Sequence, residues 1–136
     1  MPLVSRKGIL AIAAVIDVAV HAHGRPVSAK ALAGRHKLPP RHLEPVLQAL
    51  VRDGILKGVR GLHGGYELAR EKKRITAEDI LRAAGSAEEA DEPPVPASAL
   101  VNSVVRPALA DAERSFSAAL GRINVEDMAK QAGTLK

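Results

Sequence analysis

No cysteine and no tryptophan occurs among the 136 residues, and Tyr66 and Phe116 supply the only other aromatic rings of the Phe and Tyr kind. Without thiols the chain forms no disulfide, no thiolate metal site, no cysteine-ligated iron–sulfur cluster and no thiol nucleophile. The redox compartment is not fixed by that absence. With so few rings, the core has to be built from Ala, Val, Leu and Ile, which predicts a mainly helical protein. A membrane-length apolar run is lacking as well. Ile9 to Val20 is close to unbroken, but Asp17 interrupts it and its twelve residues are too few to span a bilayer. Arg6-Lys7 before this run gives it the look of a signal peptide, yet the interruption and the alanine content favour a buried helix. Neither a serine, histidine and acid spacing, nor a phosphate loop, nor a metal-ligand cluster is present, so no catalysis is expected. His21 and His23, spaced i, i+2, fall on different faces of a helix and read as surface residues rather than a metal pair.

Charge is present and unevenly distributed. Residues 1–85 carry 15 Lys/Arg against 7 Asp/Glu, a balance of +8, whereas 86–136 carry 5 against 8, a balance of −3. A basic N-terminal part is the footprint of a nucleic-acid binder, and an acidic C-terminal part suits association or solvent better than phosphate. The length allows one compact domain with an appended element. Three divisions follow: a winged helix-turn-helix over 1–85, an acidic proline-rich linker over 86–97, and a long helix with a short final helix over 98–136.

The strongest local pattern is Val59-Arg60-Gly61-Leu62-His63-Gly64-Gly65-Tyr66, with strand-like Ile55 to Val59 before it and Tyr66 to Ala69 after it. This reads as a β-hairpin with a basic tip from which Arg60 projects, a finger suited to the phosphate backbone. A structural hairpin with an incidental arginine is the plainer alternative. Upstream, a first helix over about Val4 to Ala22 is apolar on more than one side. That excess motivates a pocket between it and the long C-terminal helix. Ser28 stands as N-cap of a short helix over Ala29 to His36, and its hydroxyl could also bond a DNA phosphate. Lys30, Arg35 and Lys37 are expected in solvent or on phosphate. Pro40 then opens the recognition-helix candidate, whose buried stripe is read as Leu43, Leu47, Leu50 and Val51, with Gly54 past its end. Arg41, His42 and Glu44 occupy the positions from which such a helix reaches bases and phosphates, although on residue type alone Glu44 is better explained as a carboxylate favoured by the helix N-terminus. Pro45 conflicts with a helix that begins at Pro40, so the first turn is either distorted or the regular helix starts later.

Thr76 caps a further helix that Gly85 is expected to end, and Ser86 to Pro96 reads as a mobile linker. Leu100, Val104, Val105, Ala108, Leu109, Ala112, Phe116, Ala119 and Leu120 then form a continuous stripe with Pro107 as a kink. The stripe packs against the same helix of a second subunit or folds back on the first helix. Asn124 caps the final helix.

Leu43-Glu44, Leu47, Leu50, Gly54-Ile55-Leu56, Val59-Arg60-Gly61, Gly64-Gly65-Tyr66-Glu67-Leu68-Ala69-Arg70, Ile75-Thr76 and Asp79-Ile80, in this order, resemble the Rrf-two (Rrf2) family of bacterial transcription regulators of the IscR, NsrR and CymR type. The resemblance spans nearly the whole chain. It implies a cytoplasmic homodimeric winged-helix regulator, expected to be a repressor, acting on a twofold-symmetric operator in double-stranded DNA. Glu44 then takes the place of the base-reading acid and Arg60 that of the minor-groove arginine, with Arg41 and His42 beside Glu44. His63 lies in the wing tip without an implied role and joins the candidates by position. Well-known members of the family bind an iron–sulfur cluster through three cysteines before the long helix. Here that segment is Asp91-Glu92-Pro93-Pro94-Val95-Pro96-Ala97-Ser98, so the chain resembles a cysteine-free branch with no cluster and an unknown effector. A protein-binding winged helix without specific DNA contacts is the alternative reading.

Overall fold

Ser5 starts the first helix: its Oγ accepts from Gly8 N–H at 3.0 Å, and α1 runs Arg6–His21. The computed structural model describes residues 4–22, 24–89 and 95–135, with backbone alone over 86–89. Ser28 caps α2 (Ala29–His36) in the same way, accepting from Ala31 N–H at 3.0 Å. α3 spans Pro40–Arg52 with proline at its first position. The conflict raised by Pro45 resolves in favour of an early start. Pro45 is exposed inside the helix, so the missing N–H costs Arg41 a carbonyl partner on the solvent side without interrupting the coil. The buried stripe of α3 differs from expectation in losing Val51 and gaining Val46, with Ala49 also buried at its edge. Val46 is buried and Val51 is exposed, because 43, 46, 47 and 50 share a face at 3.6 residues per turn and 51 turns away.

Two bonds close α3: Ile55 N–H donates to Leu50 C=O and Gly54 N–H to Val51 C=O, with Gly54 at φ 75°. That left-handed position favours glycine, and it turns the chain into β1 (Leu56–Val59). β1 pairs antiparallel with β2 (Gly65–Leu68) in a two-stranded sheet, Val59 opposite Gly65 and Leu56 opposite Leu68. Val27 adds a short third rung, exchanging backbone bonds of 2.9 and 2.8 Å with Tyr66. Gly65 permits this approach, since a Cβ there would collide with the Val27 carbonyl.

A 3₁₀ turn, Lys72–Arg74, leads to α4 (Ala77–Glu89). Thr76 and Asp79 cap it reciprocally: Asp79 N–H donates to Thr76 Oγ1 and Thr76 N–H to Asp79 Oδ2, both at 3.1 Å. α4 runs past Gly85 rather than ending there, because Ser86-Ala87-Glu88-Glu89 offers mostly strong helix formers and no left-handed stop. Of the expected mobile linker, residues 90–94 lie outside the described residues. The long helix covers residues 99–121, Ser98 capping its start through Val101 N–H. Its Val101–Val105 part is π-helical and α5 (Arg106–Gly121) continues it. The expected kink at Pro107 is thus met by a widened turn, in which Arg106 N–H reaches back to Val101 C=O. Asn124 caps α6 (Val125–Ala132), its Oδ1 accepting from Asp127 N–H at 2.8 Å.

A single cluster of small aliphatic side chains joins α1, α2, α3, the wing base and α4, with Val125 of α6 reaching into it. α1 packs chiefly on α4 and α6, whereas α5 packs chiefly on α4. α4 and α6 therefore cover part of the apolar surface of α1, whereas Ile9 near its start stays 58% exposed. Val125 N–H to Ile75 C=O and Ala77 N–H to Ile123 C=O, both 2.8 Å, stitch α6 to the start of α4.

Candidate nucleic-acid interface

Arg41, His42 and Glu44 lie exposed on the first turns of α3, beside buried Leu43 that anchors the helix in the core. None of the three side chains is held by an ion pair or hydrogen bond among the described residues, so all are available to a partner. Arg60 and His63 stand exposed in the turn between β1 and β2, next to Leu62, which is 95% exposed. Gly64 closes the turn by donating to Gly61 C=O at 3.0 Å, where a Cβ would collide with the Val59 carbonyl.

Two concavities take four of the six sequence-derived candidates. Ser28 and His63 come together around a concavity of about 450 Å3 between the start of α2 and the wing tip, with Arg25, His21 and Arg35 also lining it. Arg41 and His42 line a second, larger concavity between the first turns of α1 and α3. Glu44 and Arg60 line neither. Ser28 spends its oxygen lone pair on the α2 cap, and its hydroxyl proton stays free for an acceptor. The first concavity is rich in donors and cations, which suits an anionic backbone.

Three residues that hold this surface together were not assigned such a role by sequence reasoning. Asp17 of α1 is 7% exposed, and Arg35 of α2 grips it in a fork, Nε to Oδ2 at 2.8 Å and Nη2 to Oδ1 at 2.6 Å. The expectation that Arg35 meets solvent or phosphate is corrected accordingly: a buried carboxylate is a stronger claim on a guanidinium than water. The hydrogen bond to Asp17 raises the Arg35 pKa, so the fork stays charged until strong alkali. His36 Nε2 and His21 Nδ1 each lie 3.3 Å from the same carboxylate. The one available signal was the carboxylate at position 17 in an apolar run, which demands a partner but does not say which. Arg70 is the third: its Nε donates to Gly54 C=O at 3.1 Å, and its Nη1 lies 3.7 Å from Asp79 Oδ2. It ties the end of β2 to the end of α3 and the cap of α4.

Comparison with known proteins bears on the family and the fold. The family Rrf2, described as "Iron-dependent Transcriptional regulator", matches residues 4–131. The solved structure of T. potens IscR is similar with a TM-score of 0.74 and 32% identity, covering 99% of this chain and 93% of that one. CymR (YrzC), the global cysteine regulator of B. subtilis, is similar with a TM-score of 0.74 and 28% identity over 96% of this chain and 98% of that one. By sequence, the HTH-type transcriptional regulator CymR of Bacillus subtilis (strain 168) is 35% identical over 79 residues, 58% of this chain and 57% of that protein. In such sequence matches the chain spans about half the length of its curated relatives.

The iron in the family description does not fit the residues present. The chain supplies no thiolate, and among the described residues no three His, Asp or Glu side chains gather where they could hold a metal ion. The nearest approach to such a group, Asp17 with His21 and His36, has its carboxylate occupied on both oxygens by the Arg35 guanidinium. No helix among the described residues is long and apolar enough to cross a membrane.

Proposed function

The chain belongs to the Rrf2 family of transcriptional regulators, and from that premise we propose that it is a homodimeric, sequence-specific DNA-binding repressor acting in the cytoplasm on a twofold-symmetric operator. The observation that carries the reading is the mounting of two unpaired basic elements, the start of α3 and the wing tip, on one core. Arg41, His42 and Glu44 read the major groove; Arg60 enters the minor groove with His63 beside it, and Ser28 contacts a phosphate. No step is assigned to a metal or cofactor, and no catalysis is proposed. The homodimer rests on the long helix: Leu100, Val104, Val105 and Leu109 are exposed along it, and a second copy covers them across a dyad.

Footprinting on the promoter of its own gene and its neighbours, at two salt concentrations with Arg60→Ala and Glu44→Ala, tests the reading. The expected result is a protected twofold site, weakened by each change by about 1–3 kcal/mol. Diffuse binding indifferent to both residues would reject it. One observation favours a second reading, a protein-binding wing: Leu62 at the tip is 95% exposed, and an apolar side chain there suits a protein better than phosphate. That reading predicts capture of a protein by the wing and no discrete footprint.

A further inference from the structure

The first turns of α1 and α3 enclose a groove of about 790 Å3, within the range of about 300–1,000 Å3 that small organic ligands occupy. Ile9, Leu10 and Ala13 form one wall, and Leu38 with Pro45 the other. Arg6, Lys7, Arg41 and His42 supply its polar lining together with the Ser5 hydroxyl, and among the described residues no carboxylate lines it. Ser5 is already engaged in capping α1, whereas the Arg6 and Arg41 guanidinium groups hold no partner among the described residues. An apolar trough with cationic side chains and, among the described residues, no acid is complementary to a molecule with an apolar body and a negative head.

We propose that this groove binds an amphipathic organic anion, a carboxylate on an unbranched or ring-bearing apolar body, with Arg6 and Arg41 on the head group. Arg41 also belongs to the proposed reading surface of α3, so ligand and DNA compete for one guanidinium. That coupling rests on the function proposed above; binding itself does not. Linkage makes the competition reciprocal: the factor by which the ligand weakens the operator complex equals the factor by which operator weakens ligand binding.

Titration calorimetry of the full chain with decanoate, below its micelle concentration, tests the site, with 1-decanol as the uncharged probe of the same length. The expected result is one decanoate per chain, at least tenfold tighter than decanol. Ala13→Phe fills the trough and is expected to weaken decanoate at least tenfold with a normal thermal melt. Arg6→Ala, a surface change that tests the site even if Ala13→Phe misfolds, is expected to weaken decanoate several-fold while leaving decanol unchanged. Absence of decanoate binding, equal binding of decanol, or unchanged binding to Arg6→Ala would overturn the proposal. Conversion of a dimer to monomer by Ala13→Phe in sedimentation would overturn it too, because a second copy would then be the occupant. Decanoate that binds as expected yet leaves operator affinity unchanged would leave the site standing and remove Arg41 from the DNA-reading set.

Discussion

Replacing Arg35 by alanine strips the partner from a carboxylate that has almost no access to water. Asp17 has a side chain 6% exposed and accepts both fork bonds of Arg35, at 2.8 and 2.6 Å. Removing one member of a fully buried pair costs about 3–5 kcal/mol, because the other charge is left without compensation. Arg35 is itself 37% exposed, so the pair is screened on one side, and the two histidines at 3.3 Å remain as neighbours of Asp17. A loss of about 2 kcal/mol is therefore expected. For a chain of this size that corresponds to a fall in melting temperature of roughly 6–8 °C. Asp17→Asn keeps the side-chain volume and one acceptor, and Arg35 can turn its head to water, so about 1 kcal/mol is expected there. The order of the two losses carries the argument. Urea unfolding followed by circular dichroism, at one fixed protein concentration because association adds to apparent stability, measures both. A loss under about 0.5 kcal/mol for Arg35→Ala would show that apolar packing alone fixes α2 on α1, and a larger loss for Asp17→Asn would refute the assignment of the cost to an uncompensated buried carboxylate.

Three further outcomes follow from particular contacts. Gly65→Ala drives a Cβ into the Val27 carbonyl, so the rung between Val27 and Tyr66 is expected to open, with a loss of about 2 kcal/mol or more and faster amide exchange at both residues; unchanged exchange would contradict the close approach. Leu109→Glu places a charge on the exposed stripe of the long helix, and sedimentation should show the proposed dimer of the unaltered chain replaced by monomer while the circular dichroism spectrum stays helical; a dimer that persists, or an unaltered chain that is already monomeric, would refute the proposed interface. Ser28→Ala removes the α2 cap at a cost of about 1 kcal/mol, and operator affinity measured well below the melting temperature separates the cap from a phosphate contact, which only the second role would weaken.

Local chemistry made much of the architecture readable in advance. Pro40 at the head of α3, Gly54 behind its end, Thr76 and Asn124 as caps and the glycines of the wing each specify a backbone conformation within a few residues of themselves. What escaped the sequence depends on distance or on balance. Asp17 and Arg35 are 18 residues apart and meet only once α2 docks on α1, and Arg70 finds Gly54 C=O only after the hairpin has closed. The extension of α4 beyond Gly85 is a matter of balance, a single glycine being outvoted by the residues after it. So is the exchange of Val51 for Val46, where two apolar side chains compete and helix phase decides. The candidate site was legible as a set of exposed polar residues at a helix start and a hairpin tip. Its division over two concavities was not, since Ser28 meets His63 only through the third rung at Val27.

Arg70 acts on more than stability. By joining Gly54, behind α3, to Asp79, at the cap of α4, from the end of β2, it braces the hairpin against α3, the two elements proposed to meet DNA. Two probes on separate hinges would each lose orientational freedom on meeting a duplex. Two probes on one braced mount lose it once, during folding, so the entropy of alignment is taken out of the encounter with DNA. The same brace sets a ruler: the span between helix and tip is a property of the protein, and a duplex whose grooves do not match it must deform to be bound.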